Sequence, residues 1–512
     1  MYRLGSEKSV GFFAICAIMC YLFINQGGYF AGGIISAGII TAIMLFRIKP
    51  EIKIFDLLFL AFSLWYLFCT LRTGLDIRYT SKGILPFLCL IFRWLIPKDK
   101  EKSSKLFEYL IKVSLFVTCV AIILCIISSI KSMHLIRLSF PMQYSNASGI
   151  FFGVMFILAR YTEFGWSKKL QYVFFAALVL TQSVGAVGLT VIAEIILSKN
   201  KRNTLIFLII IFAGAIVLHS RVIQSMGTFL ERILQVYDGF RCMVANPVFG
   251  IGAGRWDLYK GLYQTGFYDS QIIHGTIGQI GAASGIIGLV LFVASAVYVL
   301  KNFKFENKAY LAGALMLVVH SFIDFTFSFT VLGFLAMLLI SHGEEKATKP
   351  IEVKKYISLP MSVLILSAFV FLAYSMNQVK TLEKIDIEAN PLAYVDYYET
   401  HPLSQKDAET TKTYAKALYN SGNIQKSLET LNKMRLLSTN MVVLKKDCTN
   451  SWDCVMEYIK IQPYNSPLYR SVYRKSNDEV LKKEVEKLLD DAINSMSVLG
   501  KKLHELKGDE IL

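Results

Sequence analysis

The sequence predicts an all-α fold: a polytopic transmembrane helical bundle of about 12–13 spans, with a long extracytoplasmic loop and a small helical C-terminal domain. Three observations lead there. Of 512 residues, 54% are apolar and only 18% charged, with a mean hydropathy of +0.47, against about 45–50% apolar and 25% charged in soluble domains. Apolar runs of membrane-spanning length recur from Val10 to Met376, separated by breaks that carry Lys or Arg. The runs are continuous rather than alternating, which excludes a closed β-barrel. An ordinary water-soluble enzyme is excluded as well. The net charge of +16 would suggest nucleic acid in a soluble domain, but here the basic residues sit in short inter-span loops, where topology accounts for them and no nucleic-acid partner is needed.

A window of about 20 residues places spans near 10–24, 29–46, 55–71, 83–96, 106–128, 147–161, 171–184, 186–198, 204–219, 281–300, 309–324, 326–341 and 356–376. The first run follows Arg3 and Lys8 as a signal peptide would, yet no small-residue cleavage site follows, and it reads as a retained helix. Residues 1–376 form the transmembrane part, with its extracytoplasmic loop over 220–280, and residues 377–512 the extracytoplasmic helical domain.

Orientation follows from the basic loops. Arg47/Lys49/Lys53, Lys98/Lys100/Lys102/Lys105, Lys168/Lys169, Lys199/Lys201/Arg202, Lys301/Lys304/Lys308 and Lys346/Lys349/Lys354/Lys355 fall in every second connection, which makes those connections cytoplasmic. The Arg72–Lys82 loop, the Ser129–Tyr144 loop, Ser220–Ile280 and the tail from Asn377 then lie outside. The expected location is a membrane, crossed many times, with membrane lipids as neighbours.

The long outward segment carries the candidate chemistry, since an insertion of that size among tightly connected spans is uncommon without a function. It holds Arg232, Arg241, Asn246-Pro247, the run Gly250-Ile251-Gly252-Ala253-Gly254, and His274 just before the next span. Residues 229–244 have helical character, and Arg232 and Arg241 stand nine apart, about 180° round an ideal helix. Asn-Pro stops that helix. The glycines either form a plain turn or let backbone approach a ligand or another helix closely.

Here the sequence resembles the bacterial O-antigen ligases and related polysaccharide polymerases, which have an outward loop with an Arg-containing helix, a Pro-x-x-Gly-x-Gly turn and a His at the mouth of the following helix. Arg232 is followed by Pro247-Val248-Phe249-Gly250-Ile251-Gly252, and His274 by Gly285 and Gly288 at the family's spacing. One position departs: Gly275 stands where the family has Asn, Ser or Gln. Tyr144-Ser145-Asn146-Ala147 is similar to the family's Asn-containing helix start, and Thr181-Gln182-Ser183-Val184-Gly185-Ala186 to its Ser-Arg-Gly-Ala stretch, with Val184 where Arg is usual. The resemblance covers roughly residues 60–340, with 232–288 its specific part.

The resemblance implies a membrane glycosyltransferase, metal-independent and without a cofactor, that moves a glycan from an undecaprenyl-diphosphate-linked donor to an acceptor hydroxyl of a lipid, a glycan or a protein, in cell-surface polysaccharide or glycoconjugate synthesis. Such chemistry needs a cation for the diphosphate and a group to take the hydroxyl proton. Arg232 supplies the first, because a guanidinium is a planar fork that binds phosphate oxygens bidentately and stays charged. His274 supplies the second, with an ordinary pKa of about 6.5. Arg241, Arg72 and Arg78 are auxiliary phosphate ligands, and Gly250, Gly252, Gly285 and Gly288 are motif glycines. The bland alternatives are an Arg232 snorkelling to lipid head groups and an interfacial His274 that only hydrogen-bonds.

Elsewhere, His320 and Asp324 stand four apart near the outer end of a span and read as a polar lock between helices, and Glu108 and Lys112 as an anchor at a cytoplasmic end. No cluster has metal-ligand spacing, and no Walker loop or Asp-x-Asp motif appears. Cys448 and Cys454 lie in the tail, six apart, where an oxidising compartment would permit a disulfide. In the tail, Tyr414–Ile424 with Ser427, Leu428 and Leu431 resembles one tetratricopeptide helix pair, expected to be capped by helices within Ser476–Leu506 and to engage a protein partner. A tail of this kind occurs among polymerase and protein O-glycosylation relatives. The competitor of a different class is a transporter or flippase of lipid-linked glycan, which would show internal repeats and broken midplane helices; no convincing repeat is found.

Overall fold

The structure is a computed structural model that describes residues 7–46, 50–97, 100–162, 164, 166–199, 219–345, 351–353, 355–435, 456, 459–460, 462–476 and 478–507. The expected span at 204–219, apart from its last residue, and Cys448 and Cys454 lie outside the described residues. In chain order the helices are α1 (Glu7–Ile24), α2 (Ala31–Leu45), α3 (Ile54–Arg72), α4 (Ile77–Leu95), α5 (Lys100–Ser132), α6 (Ser145–Tyr161), α7 (Ser167–Leu180), α8 (Val184–Leu197), α9 (His219–Ala245), α10 (Trp256–Tyr263), α11 (Thr276–Asn302), α12 (Lys308–Ser321), α13 (Thr330–Ser341) and α14 (Lys355–Leu382). The tail adds α15 (Pro391–Thr400), α16 (Ala408–Asn420), α17 (Ile424–Arg435), α18 (Ser466–Lys475), α19 (Glu479–Ser495) and α20 (Val498–Lys507). Strand among the described residues is confined to two antiparallel pairs of two residues, Glu51–Ile52 with Ile351–Glu352 and Phe303–Lys304 with Glu344–Glu345. The protein is all-α.

Four described helices are long and apolar enough to cross a bilayer: Ile54–Arg72, Glu101–Ser132, Thr276–Asn302 and Ser358–Leu382. This makes it a membrane protein. Among the described residues, several other expected spans form helices shorter or more polar than a full crossing. At 1.5 Å per residue, the 15 residues of α2 and the 12 of α13 fall short of a hydrocarbon core about 30 Å thick. Arg78, Lys82 and Arg93 dilute α4.

The contacts divide the chain into two units. The first comprises Met1–Leu64, Ile84–Ser225 and Val290–Phe371. Its centre is α6, buried along its whole length from Ala147 to Ala159, because α7, α8 and α12 pack around it. By contrast, α5 leaves Phe116, Ile123 and Ile130 exposed on one side, the pattern of a helix that faces lipid. Several charges in this unit are paired. Arg93 Nε meets Asp56 at 2.8 Å and Arg160 Nη2 meets Glu194 at 2.8 Å, with Tyr161 OH donating to the same carboxylate at 2.8 Å. Glu108 and Lys112 form the expected pair at 2.8 Å. Asp324, only 1% exposed, accepts from Tyr144 OH (3.2 Å) and Asn146 Nδ2 (3.1 Å), whereas His320 Nδ1 contacts Thr326 Oγ1 (2.7 Å).

The second unit comprises Trp65–Gly83, Met226–Leu289 and Leu372–Leu512. Contacts therefore group the tail with the long loop rather than leaving it by itself. Helices here start on side-chain caps: Asn390 accepts from Ala393 N–H, Asp407 from Thr410 N–H, and Asp478 from Val480 and Leu481 N–H, each satisfying amides the first turn leaves open. The tetratricopeptide-like pair is α16 and α17, joined at Gly422 (φ +83°) with Ser427 Oγ donating to Ala415 O at 2.6 Å. Its core holds Leu382, Tyr394, Tyr398, Tyr414 and Leu418. The expected cap is placed otherwise. Helix α19 shares a core with Phe267 of the loop, and Leu503 of α20 shares one with Leu234, Trp256 and Ile273.

Candidate active site

The candidate residues lie in the second unit and are carried by three segments: the junction of α3 and α4, the helix α9 with the turn after it, and the start of α11. Helix α9 is amphipathic. Leu234, Gln235, Asp238 and Cys242 occupy its buried face at 0% exposure, and a buried polar group on such a face requires a partner.

Gln235 has two. Its Oε1 accepts the backbone N–H of His274 (2.9 Å) and stands 2.7 Å from His274 Nδ1, while its Nε2 donates to Glu231 Oε1 at 3.2 Å. Since Glu231 accepts only, the amide must point its nitrogen there and its oxygen at the imidazole. Nδ1 therefore donates to that oxygen, with Ser270 Oγ also 3.3 Å away. Glu231 is itself held by Lys507 Nζ at 2.6 Å. Arg232 lies three residues before Gln235, one turn away on the same side of α9, and is half-buried. The fold thus sets His274 against Gln235, a residue that spacing did not single out, one helical turn from Arg232. Gln235 was detectable only as a polar residue on the Arg232 side of an amphipathic helix.

Gly275 is explained by its backbone. Its φ of +150° is a value side chains rarely adopt, so the polar residue usual in the resembled family has no place here, and Gln235 holds the imidazole from outside the loop.

The glycine run is a clasp. Gly285 (φ +66°, ψ −165°) interrupts α11, and the backbone after α9 fills the gap. Ile286 N–H donates to Pro247 O (2.7 Å), Ile251 N–H to Ala282 O (2.8 Å) and Gly252 N–H to Ala283 O (2.9 Å). A Cβ on Gly285 would meet Pro247 O at 2.4 Å, and one on Gly250 would meet Ala282 O at 2.4 Å. Gly250 N–H donates to Asn246 O and Ala253 N–H to Thr70 Oγ1. Four successive amides, from Gly250 to Ala253, are taken, so the run is a close backbone contact and not a phosphate cradle. Gly288 packs on Ser284 and Trp65, and Phe249 stacks on Trp65 at 5.6 Å between ring centres.

The remaining arginines are dispersed. Arg241 is exposed and donates to Tyr263 O at 2.8 Å, on the other side of α9 from Arg232. Arg72, exposed at the end of α3, lies over the Phe249 ring at 4.7 Å. Arg78 is held by two tail carboxylates, Asp407 at 2.6 Å and Glu383, so an anion would have to compete with both. Arg255, which the sequence did not single out, is 6% exposed, donates to Gly74 O at 2.9 Å and stacks on Tyr79. In the first unit, Arg137 supplies a guanidinium beside Val184: its Nε donates to Thr181 O at 3.0 Å and its Nη2 to Asn146 Oδ1 at 3.1 Å.

Two buried carboxyls mark how the segments are joined. Asp238 accepts from Thr265 Oγ1 (2.7 Å), Thr265 N–H (3.2 Å) and Tyr268 OH (2.9 Å). Burial pushes it up to about 6, against the pull of those donors. Asp76, at the start of α4, accepts the N–H groups of Tyr79 and Ala408. Burial, and then the neighbouring Asp407 carboxylate, raise it to about 6. The chain matches no protein-family model, no curated protein and no solved structure.

Proposed function

We propose that the protein is a glycosyltransferase of the O-antigen ligase and polymerase type, acting at the outer face of a bacterial inner membrane on a polyprenyl-diphosphate-linked glycan. What supports this reading is His274 held by Gln235 one helical turn from Arg232 on α9, with its Nδ1 turned to the Gln235 oxygen. In the reaction, Nε2 accepts the proton of the acceptor hydroxyl. The acceptor oxygen bonds to the anomeric carbon as the bond from that carbon to the diphosphate oxygen breaks, and the diphosphate leaves with its electron pair. Arg232 binds that diphosphate in a fork and offsets its growing charge. The acceptor is a lipid, another glycan unit or a protein hydroxyl.

The transporter reading is favoured by one observation, the break in α11. Its backbone groups are nevertheless taken by the 247–252 turn, which leaves none for a substrate, and non-helical backbone at membrane depth is tolerated where protein covers it.

The test is transfer from a defined lipid-linked donor by purified protein, with donor binding measured separately. His274→Ala is expected to lower the rate by about 10²–10⁴-fold, as for a lost general base, while donor affinity holds. Arg232→Lys keeps the charge but loses the fork, and most activity is expected to go with it. A normal rate in both variants, or donor crossing vesicles without transfer, would overturn the assignment.

A further inference from the structure

Helix α9 carries a second face that the reaction does not use. Met226, Phe229, Ile233, Tyr237 and Val244 recur at intervals of three, four, four and seven residues and are all exposed, Met226 to 61% and Val244 to 71%. That is a single apolar stripe about 27 Å long, on the side of the helix away from Gln235, Asp238 and Cys242. A stripe of this length is not an ordinary scatter of surface apolar residues.

Two features say what covers it. The first is continuity. The turn that follows α9 is bonded through Pro247 O to Ile286 N–H, inside the membrane-crossing helix Thr276–Asn302, only 33% of whose apolar window is buried. Val248, next along the chain from the stripe, is exposed, as are Ile286 and Ile287 of α11 and Phe68 of α3, so the stripe runs into the lipid-facing surface of two spans. The second is charge. Arg241, exposed, borders the stripe about 40° from Tyr237 on an ideal helix, where a basic side chain reaches phosphate head groups.

We infer that α9 lies in the outer leaflet of the bilayer as an interfacial helix, its stripe covered by phospholipid acyl chains and Arg241 at head-group level. The inference rests on the membrane character of the chain and stands apart from the glycosyl-transfer reading. Such helices sink their apolar face about 5–10 Å into the boundary between head groups and chains, so the face is inaccessible from water without being covered by protein.

The experiment uses full-length protein in vesicles of phosphatidylethanolamine and phosphatidylglycerol. Ile233→Cys, Val244→Cys and, as the water-exposed control, Val480→Cys on α19 are each labelled with bimane, and the signal of the unsubstituted chain, labelled in parallel, is subtracted. Lipids brominated in their acyl chains are expected to quench most of the emission at 233 and 244 and little at 480, and aqueous iodide to do the reverse. Iodide quenching at 233 and 244 equal to that at 480 would overturn the inference, and protection from both quenchers would overturn it in favour of a covering protein surface.

Discussion

His274 owes its orientation to one amide. Replacing Gln235 by Leu removes the acceptor that fixes the proton on Nδ1, so transfer is expected to fall by about 10-fold or more, toward the loss of the base itself, with donor binding unchanged. Gln235→Glu keeps an acceptor oxygen and should shift the pH profile of transfer upward, because a carboxylate beside the ring favours its charged form. A Leu variant with full rate would reduce Gln235 to packing. At Gly285, alanine meets both a forbidden backbone angle and Pro247 O, and a cost above about 1–3 kcal/mol is expected; Gly188, which has open space around it, should accept alanine without loss in the same thermal-unfolding assay. Spacing alone found His274 and Arg232. It missed Gln235 because that contact joins residues 39 apart, and no local pattern encodes which buried amide a loop will meet.

At the scale of elements, the long loop and the tail are held by a few polar and close backbone contacts. Asp238 fixes Thr265, whose carbonyl accepts Ser497 N–H at 3.1 Å, and Gly500 approaches Gly266 so closely that a Cβ would lie 2.4 Å from Thr265 O. Gly500→Val should therefore release α20 and raise its cleavage in limited proteolysis. Asp238 also makes the junction pH-dependent. Its folded value, about 6, exceeds the ordinary 3.8, so the folded state holds the proton more tightly. The resulting stabilisation is full below about pH 4 and is lost as pH rises through 6, up to roughly 3 kcal/mol for a shift of that size. Amide exchange at Ser497 should accelerate between pH 5 and 7 by that route, and Asp238→Asn should flatten the dependence. Caps at Asn390, Asp407 and Asp478 were the kind of signal a sequence displays. The helix break was not, since hydropathy averaged over a window is unchanged by one glycine in the left-handed region.

For the whole molecule, hydropathy located the described helices well, but apolar composition marks a buried bundle helix such as α6 as strongly as one facing lipid, so it does not by itself say which of them cross the membrane. The side on which segments lie is a separate question with a sharp test. Arg78 touches Glu383 and Asp407, and Glu231 touches Lys507, and groups in contact cannot face opposite sides of a bilayer. Cysteines placed at Leu262 and Lys416 should thus react with an impermeant reagent from one side, and a cysteine at Lys100 from the other, as the alternating basic loops require. Labelling of 262 and 416 from different sides would contradict the fold itself.

The clasp between the 247–252 turn and α11 is made by main-chain groups alone. The exposed side chain of Val248 is therefore not needed for its hydrogen bonds, and the joint can hold its geometry while that side chain changes. Substitutions there would alter what the outer surface recognises without loosening the frame that presents it. A lineage of such proteins has in this turn a place to vary its outer surface, provided that Gly250 and Gly285 stay fixed.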